Sequence, residues 1–155
     1  MRQLFLGLFV LGLFTGINAQ NTPVFWFAVA PDDVVLPEGS YRAFEPYTYQ
    51  AYRLDYDALV KNLAQAPMEF TAKAKKPVVV LLPVGSGQLE QFALVESPVM
   101  MPKLQERHPE TRTFSGYSLQ TPNKRIRCSY SPSWGFKAIV LRPDKGVEYI
   151  EPLAR

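Results

Sequence analysis

At 155 residues, with 47% aliphatic, aromatic and Cys side chains and 20% charged ones, the chain has the bulk of one folded domain and not the composition of a disordered one. Its formal net charge of +3 is spread along the sequence. The small clusters Lys73, Lys75, Lys76 and Lys124, Arg125, Arg127 read as solvated strand edges, so no nucleic-acid partner is expected.

The chain opens with an export signal. Arg2 gives a positive start, residues 4–14 are an unbroken run of Leu, Phe, Val and Gly, and small and polar residues lead to Ala19. Cleavage is expected between Ala19 and Gln20, which makes the product secreted, or periplasmic in transit. As a helix the apolar run covers only ~16 Å, against the ~30 Å of a bilayer core, and no basic stop-transfer cluster follows it. Membrane attachment after cleavage is therefore not expected, and no Cys follows the run to carry a lipid. Residues 20–155 are left as a single domain, large enough to bury a core. The one cysteine, Cys128, has no partner within the chain for a disulfide, so packing alone must hold the fold.

Residues 20–50 are aromatic, punctuated by Pro, and read as irregular or extended, with Asp32 and Asp33 pointing opposite ways on an extended chain. One strong helix follows at about residues 54–66. Leu54, Ala58, Leu59, Leu63 and Ala66 recur at helical spacing, Asp55 is placed to cap the first turn, Asp57 suits the helix dipole and Pro67 ends the run. Residues 78–82 form a β-branched block between Pro77 and Pro83, a buried strand. Residues 84–88 are a Gly-Ser-Gly hairpin turn and 89–95 the partner strand, with Leu89, Gln91, Ala93 and Val95 on one face and Phe92 and Leu94 on the other. A short helix is predicted from Pro102 to about Arg107, before Pro109. The last third reads as a meander with strands at 112–117, 124–130, 136–141 and 147–150, with Cys128 facing the core beside Ile126 and Tyr130. The fold class is α+β: a small β-rich domain of antiparallel hairpins with one main helix.

Catalytic equipment is what the sequence lacks. A hydrolytic zinc site takes three protein ligands, usually two or three of them His, and a Glu to activate water. His108 is the only histidine, it stands in a polar turn-like stretch, and no His-Glu-x-x-His segment occurs. The expected sets of catalytic, cofactor-binding and metal-ligating residues are therefore empty, and no cofactor is expected. Gly85-Ser86-Gly87 lacks the Lys-Ser/Thr of a phosphate loop. The aromatic series around Tyr47, Tyr49 and Tyr52, with Tyr41, Tyr56, Arg42 and Arg53, could stack sugars or bases, though such residues more often cover a small sheet or pack on a neighbouring helix.

The stretch ESPVMMPKLQERHPETRTFSGYS at residues 96–118 resembles a segment in the N-terminal region of secreted bacterial reprolysin-type (adamalysin-like) zinc metallopeptidases. A Glu-Ser-Pro-Val-Met run there leads into a Pro-started helical turn and an Arg-Thr-(aromatic)-Ser-Gly strand. YRLDYDALVKNLAQAP at 52–67 resembles the same family's helix ending in Ala-Pro, residues 78–96 its strand, glycine turn and strand, and residues 134–138 with 147–152 its closing hairpin. The resemblance covers about residues 52–152 and stops short of any peptidase domain. It implies a propeptide-like domain of a metallopeptidase precursor, acting as folding aid or temporary inhibitor, whose partner is the metallopeptidase domain in cis or in trans. Propeptides of this family that inhibit through a Cys on the zinc carry it in a tail near the peptidase boundary. Cys128 lies in a predicted strand, so that role is not transferred. The alternative is a free-standing secreted binding module using Tyr47, Tyr49 and Tyr52. An enzyme in its own right would need a site built without any recognised motif.

Overall fold

The computed structural model describes residues 22–41, 46–121, 123–144 and 146–154. The leader at 1–19, the expected cut between Ala19 and Gln20, and Arg42 lie outside the described residues. Among the described residues eight strands and two α-helices follow in chain order: β1 (Trp26–Val29), β2 (Ala51–Leu54), α1 (Tyr56–Leu63), β3 (Val78–Pro83), β4 (Leu89–Glu96), α2 (Pro102–Arg107), β5 (Arg112–Ser118), β6 (Arg125–Ser131), β7 (Gly135–Arg142) and β8 (Gly146–Ile150). Strands β3 to β8 form one antiparallel sheet in sequence order, and β1 pairs with β2 in a separate two-stranded ribbon. The β-rich α+β architecture and the hairpin meander stand as expected.

Some local expectations needed correction. The main helix is Tyr56–Leu63 and not 54–66: Leu54 is the last residue of β2, paired with Trp26, because Asp55 takes the cap position and its carboxylate accepts from the Ala58 amide at 3.2 Å. After Leu63 the chain tightens, and the Gln65 and Ala66 amides reach back three residues to Asn62 and Leu63. Residues 20–50 are extended at β1, as expected, where residues 51–54 pair with it. Asp32 and Asp33 lie in a 3-10 turn rather than on an extended chain. Lys73 and Lys75 likewise belong to a 3-10 turn, and Lys124 is not a solvated edge residue at all.

Cross-strand partners share a face, so the register assigns every side chain of the large sheet. One face carries Val80 and Leu82, Phe92 and Leu94, Phe114, then Ile126, Cys128 and Tyr130, then Phe136, Ala138 and Val140. All are buried, in one cluster with Leu59 and Leu63 of α1 and with Phe25 and Trp26. Helix and ribbon thus cap this inner face. Each fully buried Leu or Phe contributes about 1.5–3 kcal/mol relative to exposure. The Trp26 ring stands edge-on to Phe136, 5.6 Å between centroids, and to Tyr52 at 6.3 Å. The Tyr56 hydroxyl donates to the Ser131 carbonyl at 3.0 Å, tying α1 to the end of β6.

Charged pairs rim the inner face. Arg112 forks onto Glu96, with Nε to Oε1 at 2.8 Å, and also donates to the Ala64 carbonyl just past α1. Glu90 accepts from Lys124 and from the Ser118 hydroxyl, while Ser118 Oγ accepts in turn from the Gln120 and Thr121 amides at 3.1 and 2.8 Å. Arg142 pairs with Glu148, whose second oxygen accepts from the Gly85 amide at 3.2 Å. Gly85 belongs to the β3–β4 turn and Glu148 to β8, strands at opposite edges of the sheet. The sheet must therefore curl until its two edges meet at one end.

Candidate functional site

Curling leaves the opposite face of the sheet convex. The register places three cross-strand rows on it. One runs Ala93, Tyr117, Arg125, Leu141, Val147, the next Val95, Ser115, Arg127, Ile139, Tyr149, and the third Thr113, Ser129, Lys137. Successive rows lie two residues apart along each strand, roughly 7 Å. Over β5–β8 no second layer covers these rows among the described residues: Tyr117, Ile139, Leu141 and Val147 are between 42% and 49% exposed and Tyr149 is 67% exposed. Two rows of large apolar side chains on one open sheet are more than scattered surface residues, and such patches mark contact sites.

The same rows carry cations. The Arg125 guanidinium lies 5.7 Å from the centre of the Tyr117 ring, and Arg127 donates to the Ser97 hydroxyl at 2.9 Å. The Lys137 ammonium sits 5.3 Å from the Trp134 ring centre and 3.8 Å from a Glu151 oxygen. No paired position of the three rows is acidic, and Glu151 reaches Lys137 from just past β8. At the end of the sheet nearest the β6–β7 turn, the third row opens into a cleft of about 420 Å³ between Trp134 and the Val99–Met100 segment. Arrangement and charge together suit a surface that is apolar and acidic.

The residues singled out from sequence fall elsewhere. Tyr47 is fully exposed and Tyr49 half exposed, whereas Tyr52 packs against the core, with its hydroxyl donating to Gln50 Oε1 at 3.1 Å. Burial pushes the Tyr52 and Tyr56 hydroxyls above the usual phenol range. The series is thus divided between solvent and the helix layer. His108 stands at the C-terminal end of α2, more than half exposed, with Nδ1 3.3 Å from Glu110. Cys128 is buried, and burial pushes its thiol up to about 12. Among the described residues no group of three or more His, Cys, Asp or Glu side chains could hold a metal, and no helix is long and apolar enough to cross a membrane.

Sequence reasoning missed Tyr117, Ile139, Leu141, Val147, Tyr149 and Trp134 as a site. The signal was present in β7, where 138–141 reads Ala-Ile-Val-Leu without alternation, so that both faces of the strand are apolar. Comparison with protein-family models, with curated proteins and with solved structures gives no match to the chain.

Proposed function

We propose that residues 20–155 are an exported, propeptide-like domain that works by contact, covering the catalytic domain of a reprolysin-type zinc metallopeptidase in cis or in trans. The leader at 1–19 delivers it to the secretory route and is removed between Ala19 and Gln20. The observation that carries the reading is the open apolar and basic face of β5–β8, on a domain whose other sheet face is already filled by α1 and the β1–β2 ribbon. Such a domain has a surface to bury, and among its described residues no group of three or more His, Cys, Asp or Glu could hold a metal. The resemblance at residues 96–118 supplies the identity of the partner.

Occlusion fits the chemistry better than ligation. A thiol reaches zinc as thiolate, and Cys128 is held protonated beneath the sheet. Covering the cleft needs only a modest interface while the domain is tethered, since the local concentration is then high, and cutting the tether discards that advantage.

The test is an inhibition assay. The purified domain is titrated into a reprolysin-type peptidase with a quenched peptide substrate, and co-expression measures whether it raises the yield of active enzyme. Inhibition is expected to saturate, and to weaken at least tenfold in the Leu141→Glu, Tyr149→Glu double variant, while His108→Ala leaves it unchanged. Unaltered peptidase rates at tens of micromolar domain, with unaltered yield on co-expression, would falsify the assignment.

A further inference from the structure

The convex face is not uniform: it ends in the cleft at the β6–β7 turn. Nine residues line that cleft. Trp134 forms one wall from the turn, Val99 and Met100 form the other from the segment before α2, Thr113 and Ser129 lie on its floor from the third cross-strand row, and Lys137 stands at its mouth. A volume of about 420 Å³ is at the small end of ligand sites, where buried contact is mostly apolar and a few polar groups set orientation. It exceeds one large apolar side chain and leaves room for part of the backbone that bears it.

Charge decides what that backbone carries. Besides its place over the Trp134 ring, Lys137 has a long contact to Glu151, at 3.8 Å with both side chains about one-third exposed, an ion pair worth less than about 1 kcal/mol. An incoming carboxylate can therefore replace Glu151 at little cost. On the neighbouring strand β6, Arg127 lies one row further along the same face and Arg125 one row beyond that, so the cations step along the strand direction by rows roughly 7 Å apart, with Lys137 set one strand to the side. An extended peptide places alternate side chains at the same spacing. Aromatic rings with arginines on a sheet could also stack bases, but here Ile139, Leu141 and Val147 fill the positions between, and the chain carries only +3 overall.

We infer that the cleft between Trp134 and Met100 is an anchor pocket. It takes one large apolar side chain of an acidic, extended peptide segment, whose carboxylates lie along Lys137, Arg127 and Arg125. The inference rests on the proposal that the β5–β8 face is the docking surface, and it names the kind of partner segment that docks there.

Two fluorescein-labelled peptides, with anchor and carboxylates at alternate positions so that they share a face, test it by anisotropy against the purified chain, acetyl-Phe-Ser-Glu-Ser-Glu-Ser-Glu and acetyl-Ser-Ser-Glu-Ser-Glu-Ser-Glu, with a labelled oligothymidylate as third probe. Saturable binding of the first peptide is expected, at least tenfold tighter than of the second, and weakened at least fivefold in Lys137→Ala and in Ser129→Leu, which fills the floor. Urea unfolding of each variant shows that the fold is retained. Equal binding of the two peptides removes the anchor role, and preferential binding of the oligonucleotide overturns the peptide assignment altogether. The peptidase assay separates this idea from the propeptide reading. Full inhibition by Ser129→Leu leaves the propeptide standing without the anchor, whereas peptide capture by a chain that inhibits no peptidase leaves the anchor without the propeptide.

Discussion

Replacing Lys124 by Met isolates the Glu90 carboxylate. In the native fold Glu90 accepts from Lys124 and from the Ser118 hydroxyl, and the two charged side chains are 11% and 12% exposed. Burial alone would raise the Glu90 pKa, but the hydrogen bonds from Lys124 and Ser118 prevail and hold it below the usual carboxylate range. Removing one partner of a fully buried pair costs about 3 kcal/mol or more, because the other charge stays behind, and a part-buried pair such as this one costs less. Lys124→Met should therefore lower unfolding stability by about 2 kcal/mol at pH 7. Adding Glu90→Gln should restore most of it, since an amide still accepts from Ser118 and needs no counter-ion. A group whose folded pKa is depressed stabilises above its unfolded pKa, near 4.3 for Glu, and loses that contribution as pH falls through the folded value. The gap between wild type and Glu90→Gln should thus be constant above about pH 5.5 and close in acid. Urea unfolding followed by tryptophan fluorescence gives all four corners of the cycle. If the single losses add to within about 0.5 kcal/mol in the double variant, the two residues are not coupled and the reasoning fails.

Further outcomes can be checked on the same preparation. A Cβ at Gly116 meets the Ala93 carbonyl and comes within 2.6 Å of Leu94 Cδ2, so Gly116→Ala should cost about 3 kcal/mol through overpacking, and a denaturant midpoint equal to wild type contradicts that close approach. Asp55→Ala should cost about 1 kcal/mol by removing the α1 cap, with Asp55→Ser recovering much of it. The Cys128 thiol, pushed up to about 12 and buried, should resist a thiol reagent at pH 8 and react once urea unfolds the domain. Rapid labelling of the native protein would show that the sheet opens beneath α1.

Where a segment's own residues decide its structure, the sequence could be read closely. Pro77, Pro83 and the Gly-Ser-Gly turn enclose β3, and its position follows from them. Pro102 starts α2, and Asp55 caps α1. Reading stopped where distant partners decide. Trp26–Val29 carries no alternation strong enough to name a strand, and it becomes one because Ala51–Leu54 lies alongside. Lys124 looks like one of a solvated trio until Glu90, 34 positions earlier, places it under the sheet. The candidate face is the same case on a larger scale: Tyr117, Arg125, Leu141 and Val147 come from four strands, and only the register makes them a row. Apolar residues on both faces of β7 hinted at it, but a helix or sheet on either side would have accounted for them equally well.

The meeting of Gly85 with Glu148 has a consequence for the order in which the molecule can be completed. Every strand from β3 to β8 finds its neighbour next to it in sequence, so each pair can form as soon as it leaves the ribosome or a translocation pore, with local connections to close, the longest being the one that carries α2. The clasp between the first hairpin and the last strand is the exception, because it spans 63 residues. An emerging chain would thus hold an open, growing ladder until its final strand arrives. Both edges should then lock in one event, and exchange of their amides with solvent should slow together at that step.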